Sequence, residues 1–147
     1  MIYYFPMRKL EHFELKKGYA VFCPLGEVSF DEMATLINRA VIVCRKQKIG
    51  KLLIDSTRLS GFQLPEISER YNLAERIAFD AASLVKIAHV ASHEWITSGE
   101  FGVQVARNRK LDIKNFEKES TALEWLLQPE KNKGSAETAA SPRINPI

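Results

Sequence analysis

The residues best suited to chemistry lie together in a short polar segment that follows an apolar run. Residues 51–62 read KLLIDSTRLSGF. The hydroxyls and Arg58 of this segment, with the free N–H groups of the helix that follows it, could bind an anion or an acidic side chain of a partner. The same residue types also satisfy backbone groups in a tight strand-to-helix turn, so both interpretations stay open. The candidate binding residues are Asp55, Ser56, Thr57, Arg58, Ser60 and Gly61.

A nucleophilic triad is a sharper alternative for the same segment. Ser56 or Ser60 would be the nucleophile, with His93 as the base and Asp55 orienting it. The chain contains no G-x-S-x-G nucleophile elbow, and these residue types occur in nearly every protein. A hydrolase is therefore a remote alternative, and we expect no enzymatic activity and no catalytic residue.

The histidines are the residues that could bind a metal ion. His12, His89 and His93 have no chelating spacing, and no cysteine neighbours them in sequence. We therefore expect His89 to be a hydrogen-bonded strand histidine, and we expect neither a metal ion nor a cofactor.

Length and composition indicate one soluble domain. The chain has 147 residues, of which 46% are hydrophobic, which is enough for one core. At residue 128 the apolar pattern gives way to QPEKNKGSAETAASPRINPI. We therefore expect a domain over residues 1–127 and a disordered tail over residues 128–147.

Charge and hydropathy disfavour two classes of partner. The formal net charge is only +3 and the basic residues are scattered, whereas a nucleic-acid binder carries a basic stripe. No apolar stretch approaches the roughly 20 residues that span a bilayer. Cys23 and Cys44 lie in apolar runs without C-x-x-C spacing, which is typical of buried thiols in a reducing cytoplasm. We expect a cytoplasmic protein that does not bind nucleic acid.

The first half of the chain predicts the elements that position the polar segment. Alternation at residues 13–15 and an apolar run at 19–23, joined by Lys17-Gly18, predict a β-hairpin. Ser29 and Glu32 form an S-x-x-E capping box that begins a helix over residues 29–48. Lys51–Asp55 fits a buried strand. Pro65 opens the next helix, whose packed face is predicted to be Ile67, Tyr71, Ala74 and Ala78, with Leu73 and Ile77 beside it.

The second half continues the alternation of strands and helices. Residues 85–91 predict a buried strand, and Ser92 caps the helix that follows it. Phe101 and Val105 fall off the packed face of that helix, which predicts an apolar strip that either meets a partner or is covered by a neighbouring helix. A strand LDIKNF and a helix STALEWLL, capped by Ser120, complete the domain. The order β-β-α-β-α-β-α-β-α predicts an α/β fold of about five strands, mostly parallel after the hairpin.

Several strings resemble the STAS-like, anti-sigma-factor-antagonist-like domains, and specifically their small stand-alone bacterial branch. These strings are GEVSFDEMATLINRAVIVCRKQKIGKLLIDSTRLSG, KIAHVAS and STALEWLL. The resemblance spans residues 11–127. It implies a mixed sheet with four helices packed mainly on one face, and a non-catalytic regulatory or binding role.

The chain departs from this family at one motif. Switchable members carry D-S-[ST]-G at the start of the helix after the strand, and a hydroxyl residue of that motif is phosphorylated. Asp55-Ser56-Thr57 matches only the strand-end part of the family pattern, and QLPEIS stands where the motif should follow. The resemblance therefore does not carry the phosphorylation switch over to this chain.

These observations favour a regulatory or protein-binding module that acts through the loop at residues 55–62. The partner is then another protein, with a second copy of this chain as one form of it. The alternative is a domain that binds a small ligand such as a lipid or nucleotide, which requires a closed apolar cavity under the helices.

Overall fold

The computed structural model describes residues 10–96, 104 and 108–129. The predicted tail lies outside these residues except for Gln128 and Pro129. The strands are β1 (Phe13–Leu15), β2 (Ala20–Phe22), β3 (Gly26–Glu27), β4 (Lys51–Asp55), β5 (Leu59–Ser60), β6 (Lys86–Val90) and β7 (Ile113–Phe116). The helices are α1 (Phe30–Lys46), α2 (Ile67–Ala81) and α3 (Glu119–Leu126), and residues 93–96, 104 and 108 are also helical.

The main sheet has five strands in the order β1-β2-β4-β6-β7. β1 pairs antiparallel with β2, and all other neighbours in this sheet are parallel. The predicted hairpin and the predicted mixed α/β fold, mostly parallel after the hairpin, are therefore confirmed. The crossover connections place the carboxyl ends of β2, β4, β6 and β7 along one edge of the sheet, where ligand and partner sites of open α/β sheets lie.

The core has two layers because successive residues of a strand point to opposite faces of the sheet. Leu52 and Ile54 pack with the buried faces of α1 and α2, whereas Leu53 packs with Ala122 and Leu126 of α3. Trp95, in the helical residues 93–96, packs on the same side as α1 and α2. The helices thus lie mainly on one face, as predicted, with α3 on the other.

The start of α1 matches the prediction from sequence. Glu32 N–H donates to Ser29 Oγ at 3.1 Å, and Ser29 N–H donates to Glu32 Oε1 at 2.8 Å. This reciprocal pair satisfies two backbone donors that a helix start otherwise leaves to water. Ser92 likewise accepts from the backbone N–H of Trp95 at 3.2 Å, so its predicted capping role is confirmed.

Two predicted helix starts are wrong. α2 begins at Ile67 with Glu66 as its N-cap, two residues later than the start predicted at Pro65. α3 begins at Glu119, after Lys118, so Ser120 lies inside the helix instead of capping it. For α3, the residue of the stronger capping type, Ser120, is not the residue at which the helix begins.

The packed face of α2 matches the prediction at Ala74 and Ala78 but not at Ile67 and Tyr71. Ile67 and Tyr71 are 62% and 37% exposed, whereas the buried residues of the helix are Leu73, Ala74, Ile77, Ala78 and Ala81. The helix therefore rests on the core through its second half. No helix among residues 10–96, 104 and 108–129 is both long and apolar enough to cross a membrane.

The capping assignment gives a direct test with a built-in control. Ser29→Ala should lower the free energy of unfolding by about 1 kcal/mol, because it leaves a backbone donor of α1 without its acceptor. Ser120→Ala should change it by less than about 0.3 kcal/mol, because Ala is a better residue than Ser inside a helix. Urea denaturation of both variants measures the difference, and equal losses would contradict the assignment of either helix start.

Candidate functional site

Asp55, at the end of β4, forms its side-chain hydrogen bonds within the loop that follows the strand. Its Oδ1 accepts hydrogen bonds from the backbone N–H of Thr57 at 3.0 Å and from the Thr57 hydroxyl at 2.6 Å. Leu59 N–H then donates to the carbonyl of Ser56 at 3.1 Å, which closes the turn. The carboxylate predicted as a binding group therefore acts here as the acceptor that shapes the turn.

A second, two-stranded sheet holds the loop against the segment before α1. β5 pairs in parallel with β3, with Leu59 opposite Gly26 and Ser60 opposite Glu27. The bonds on either side continue the ladder: Gly26 N–H donates to the Arg58 carbonyl at 3.2 Å, and Val28 N–H to the Ser60 carbonyl at 2.8 Å. Sequence reasoning missed this pairing, and the single apolar residue Leu59 between Arg58 and Ser60 was its only signal.

Gly61 lies at the point of closest approach between the two segments. Its φ is +94°, a backbone conformation that other residues rarely adopt. A Cβ added there would lie 2.8 Å from Glu27 Cγ and 3.2 Å from both the N and the O of Val28. Glycine is therefore required by conformation and by space, so the loop has one well-defined shape.

The loop divides into an inward and an outward set of side chains. Leu59 is buried in the core, and Ser56 turns toward β6. Thr57, Arg58 and Ser60 are exposed. Of the predicted binding residues, these three are the ones whose side chains face solvent.

The Ser56 hydroxyl belongs to a chain of hydrogen bonds that crosses three strands. Ser56 Oγ lies 2.7 Å from His89 Nε2, and His89 Nδ1 lies 3.1 Å from Asn115 Oδ1. Because Asn115 Oδ1 can only accept, Nδ1 carries the proton and Nε2 accepts from the Ser56 hydroxyl. Ser56 N–H donates to the Val90 carbonyl at 3.0 Å, which ties the same end of β4 to β6.

His89 is buried and holds its ring uncharged. Burial lowers the pKa of His89 to about 4, against the smaller opposing effects of the Asn115 hydrogen bond and the Asp55 charge. The rings of Trp95 and Phe62 help to close the site: Trp95 meets His89 edge to face at 6.1 Å and Phe62 at 6.3 Å between ring centroids. The prediction that His89 is a hydrogen-bonded strand histidine is confirmed.

The triad predicted as the hydrolase alternative is not assembled. His93 Nδ1 bonds Glu117 Oε2 at 2.8 Å, and the histidine that contacts Ser56 is His89. The Ser56–His89–Asn115 chain has the connectivity of a serine nucleophile and base, but a histidine with a pKa of about 4 is a weak base at neutral pH. The N–H groups of Ser56 and Thr57 already donate to Val90 and Asp55, so neither is available to an oxyanion.

The other candidate residues from the sequence have different outcomes. No three His, Cys, Asp or Glu side chains in the described part of the chain are grouped as metal ligands. Phe101 and Val105, the predicted apolar strip, lie outside the described residues. Cys44 is buried, and burial raises its pKa to about 12, whereas Cys23 is only half-buried.

An open groove lies beside the loop and was not predicted. It has a volume of about 730 Å³ and runs along the hairpin formed by β1 and β2. Arg58 is part of its wall, so the exposed part of the loop and the groove form one continuous surface. Its other wall residues include Phe13, Glu14, Val21, Cys23 and Leu25. Sequence patterns could not find this groove because Arg58 lies more than thirty residues from the hairpin segment that supplies its other wall residues.

Among known proteins, the chain is similar to a protein of solved structure. No family model and no curated protein matches the chain. The chain is similar to a structure described as an uncharacterized protein from the DUF3478 family with a SpoIIAA-like fold, from Shewanella loihica PV-4. The two are 22% identical, the match covers 78% of this chain and 90% of that one, and the TM-score is 0.43.

The effect of the close approach at Gly61 on stability can be compared with the effect of the same substitution at a second glycine. Gly61→Ala should lower the free energy of unfolding by more than about 2 kcal/mol, because the new Cβ meets backbone atoms of Val28 as well as an unfavourable φ. Gly18→Ala, at φ +86° with no atom within 4 Å, should cost only about 1 kcal/mol from conformation alone. Equal losses in chemical denaturation would show that the loop does not press on Val28.

The buried histidine predicts a dependence of stability on pH. The pKa of His89 in the folded protein, about 4, is below its ordinary value of 6.5, so the unfolded chain binds the proton first as the pH falls. The contribution of His89 to the free energy of unfolding is therefore fully present above about pH 6.5. As the pH falls toward 4, the protein loses on the order of 3 kcal/mol of stability from this group.

The control variant for this dependence is His89→Gln, which keeps hydrogen-bonding atoms without a titrating ring. Its unfolding free energy should fall much less between pH 7 and about pH 4 than that of the original protein. The difference between the two curves removes the contribution of the carboxylates that they share. Parallel curves would mean that His89 is not held uncharged.

Proposed function

We propose that this chain is a non-catalytic protein-binding module whose contact surface is the outward part of the loop at residues 55–62 together with the groove beside it. The observation that supports the proposal is that three contacts fix the loop while Thr57, Arg58 and Ser60 remain exposed. These contacts are the β3–β5 pairing, the hydrogen bonds to Asp55 and the close approach at Gly61. A surface that is already ordered loses little conformational entropy when a partner binds.

The chemistry of this surface suits an irregular or extended segment of another protein. Arg58 offers a cation at the rim of the groove, and the hydroxyls of Thr57 and Ser60 offer hydrogen bonds next to it. Leu25, which is 51% exposed, and the half-buried Phe13 and Val21 offer apolar contacts. A carboxylate of the partner on Arg58 is worth roughly 1–3 kcal/mol where it is desolvated and far less where it is not.

A protein partner fits this surface better than a small ligand does. Drug-sized ligands bury most of their surface in enclosed apolar cavities. The groove beside Arg58 is open to solvent, and its wall includes the carboxylate residues Glu11 and Glu14. Glu66 and Glu69 at the start of α2 also oppose an anion at that helix terminus.

The proposal includes that this chain does not catalyse a reaction. The polar chain behind the loop uses Ser56, His89 and Asn115 to satisfy one another between strands, which is a structural role. The sequence resemblance to STAS-like domains supports a regulatory or binding role as well. Two free thiols, one of them buried, fit a protein of the reducing cytoplasm.

The proposal is tested with the double variant Arg58→Ala/Ser60→Ala. Partners captured from the source cells with the original protein should bind this variant at least about tenfold more weakly, or roughly 1.4 kcal/mol. Lys46→Ala/Ser68→Ala is the matched control, since it removes a cation and a hydroxyl from exposed positions on α1 and α2. Isothermal titration with the purified partner measures both, and thermal melting verifies that both variants are folded.

Two results would contradict the proposal. Equal binding by the original protein and the double variant would mean that the contact surface lies elsewhere. Covalent labelling of Ser56 by a fluorophosphonate probe, abolished in His89→Gln, would show an activated nucleophile and replace the non-catalytic function with a hydrolase.

A further inference from the structure

The edge of the main sheet opposite the Arg58 loop is formed by the turns that lead into its parallel strands. β2, β4, β6 and β7 all begin at this edge, and the antiparallel β1 ends there. The turns are residues 16–19, 46–50, 82–85 and 108–112. We call this surface the amino edge. Five strands at a spacing of about 4.8 Å give it a width of about 19 Å.

The fold gathers at the amino edge cations that are scattered along the sequence. The four turns contain six cations and one carboxylate, that of Asp112. The cations are Lys16, Lys17, Lys46, Lys48, Arg109 and Lys110. Lys16 and Arg109 each form an ion pair with a glutamate. The other four are exposed and form no ion pair within the part of the chain that the structure describes. The amino edge therefore keeps an excess of positive charge that these residues do not neutralise.

Two of these lysines occupy positions where the backbone favours glycine. Lys48 and Lys110 have φ values of +61° and +69°, in the left-handed region. Lys48 also follows Gln47, the C-cap of α1, and glycine is the residue found most often at that position. Neither lysine side chain bonds to another residue in the described ranges, so no contact there offsets the strain. Strained positions of this kind favour a role for the side chain outside the fold.

Exposed leucines lie among the cations of the amino edge. Leu15, Leu84 and Leu127 are 65%, 65% and 44% exposed. Leu15 ends β1, and Leu84 lies in the turn before β6. Leu127 follows α3, and the end of α3 lies at the start of β6 because Lys86 Nζ donates to the Trp125 carbonyl at 3.1 Å. A surface of exposed apolar side chains among cations is complementary to a bilayer with anionic headgroups.

We propose that the amino edge docks on an anionic lipid bilayer, where its lysines contact headgroup phosphates and Leu15, Leu84 and Leu127 enter the boundary of the acyl layer. A single-stranded nucleic acid is bound by cations together with aromatic rings on which bases stack, whereas leucines supply these exposed apolar groups. The bilayer is therefore favoured over a nucleic acid. In this orientation the loop that carries Arg58 faces away from the membrane, so the proposal does not depend on the function proposed for that loop.

The test is co-sedimentation of the full chain with vesicles of phosphatidylcholine, either alone or with about 30% phosphatidylglycerol. The original protein should bind the anionic vesicles at least about tenfold more strongly than the neutral ones, and added salt should weaken this binding. Lys48→Gly/Lys110→Gly should lower the partition coefficient at least about tenfold, because two cations leave the surface. This variant should keep or raise the melting temperature, because the backbone at both positions favours glycine.

The matched control is Arg39→Ala/Lys118→Ala, which removes two exposed cations that lie outside the amino edge. Its binding to anionic vesicles should equal that of the original protein. An equal loss in both double variants would mean that net charge alone decides binding, and would overturn the proposal.

The leucines and the orientation are tested separately from the charge. Leu84→Ser should lower binding to anionic vesicles at least about fivefold without changing its dependence on salt. Spin-labelled lipid should broaden the methyl signals of Leu15, Leu84 and Leu127 and leave the signal of Gly61 sharp. Equal binding to both kinds of vesicle, or unchanged binding by the glycine variant or by Leu84→Ser, would overturn the proposal. Tighter binding to an RNA oligonucleotide, lost in the glycine variant, would assign the amino edge to nucleic acid instead.

Discussion

The carboxyl edge of the sheet depends on one uncharged histidine. His89 lies in β6, between β4 and β7, where burial makes a charged ring too costly. The neutral ring has one donor and one acceptor, and both are used: Nδ1–H reaches Asn115 of β7, and Nε2 receives the hydroxyl of Ser56 just after β4. The ends of three parallel strands are thereby joined by side chains at the point where their backbone pairing stops.

The hydrogen bond between Ser56 and His89 determines which side chains of the loop are exposed. With Ser56 held inward, the chain must leave β4 in one direction, and Asp55 completes the turn by accepting from Thr57. Leu59 then enters the core, and the β3–β5 pairing fixes the residues around it. Thr57, Arg58 and Ser60 are left outside as a consequence of these inward contacts. The polar cluster is therefore a structural turn on its inner side and a candidate contact surface on its outer side.

Sequence patterns predicted the features that depend on local periodicity. The capping box of α1, the hairpin and the buried strands β4 and β6 all follow from residues adjacent in the chain or one helical turn apart. The β3–β5 pairing and the Ser56–His89–Asn115 chain could not be predicted in this way. Their members are about thirty residues apart, and the residue types involved have many other partners available.

The errors have related causes. The hydrolase alternative names His93 as the base, whereas the histidine that contacts Ser56 is His89. Its actual partners come from the strands on either side. The packed face of α2 was predicted from helical period alone, which placed Ile67 and Tyr71 on it. The period does not say where along its length a helix touches the sheet, and α2 does so through its second half.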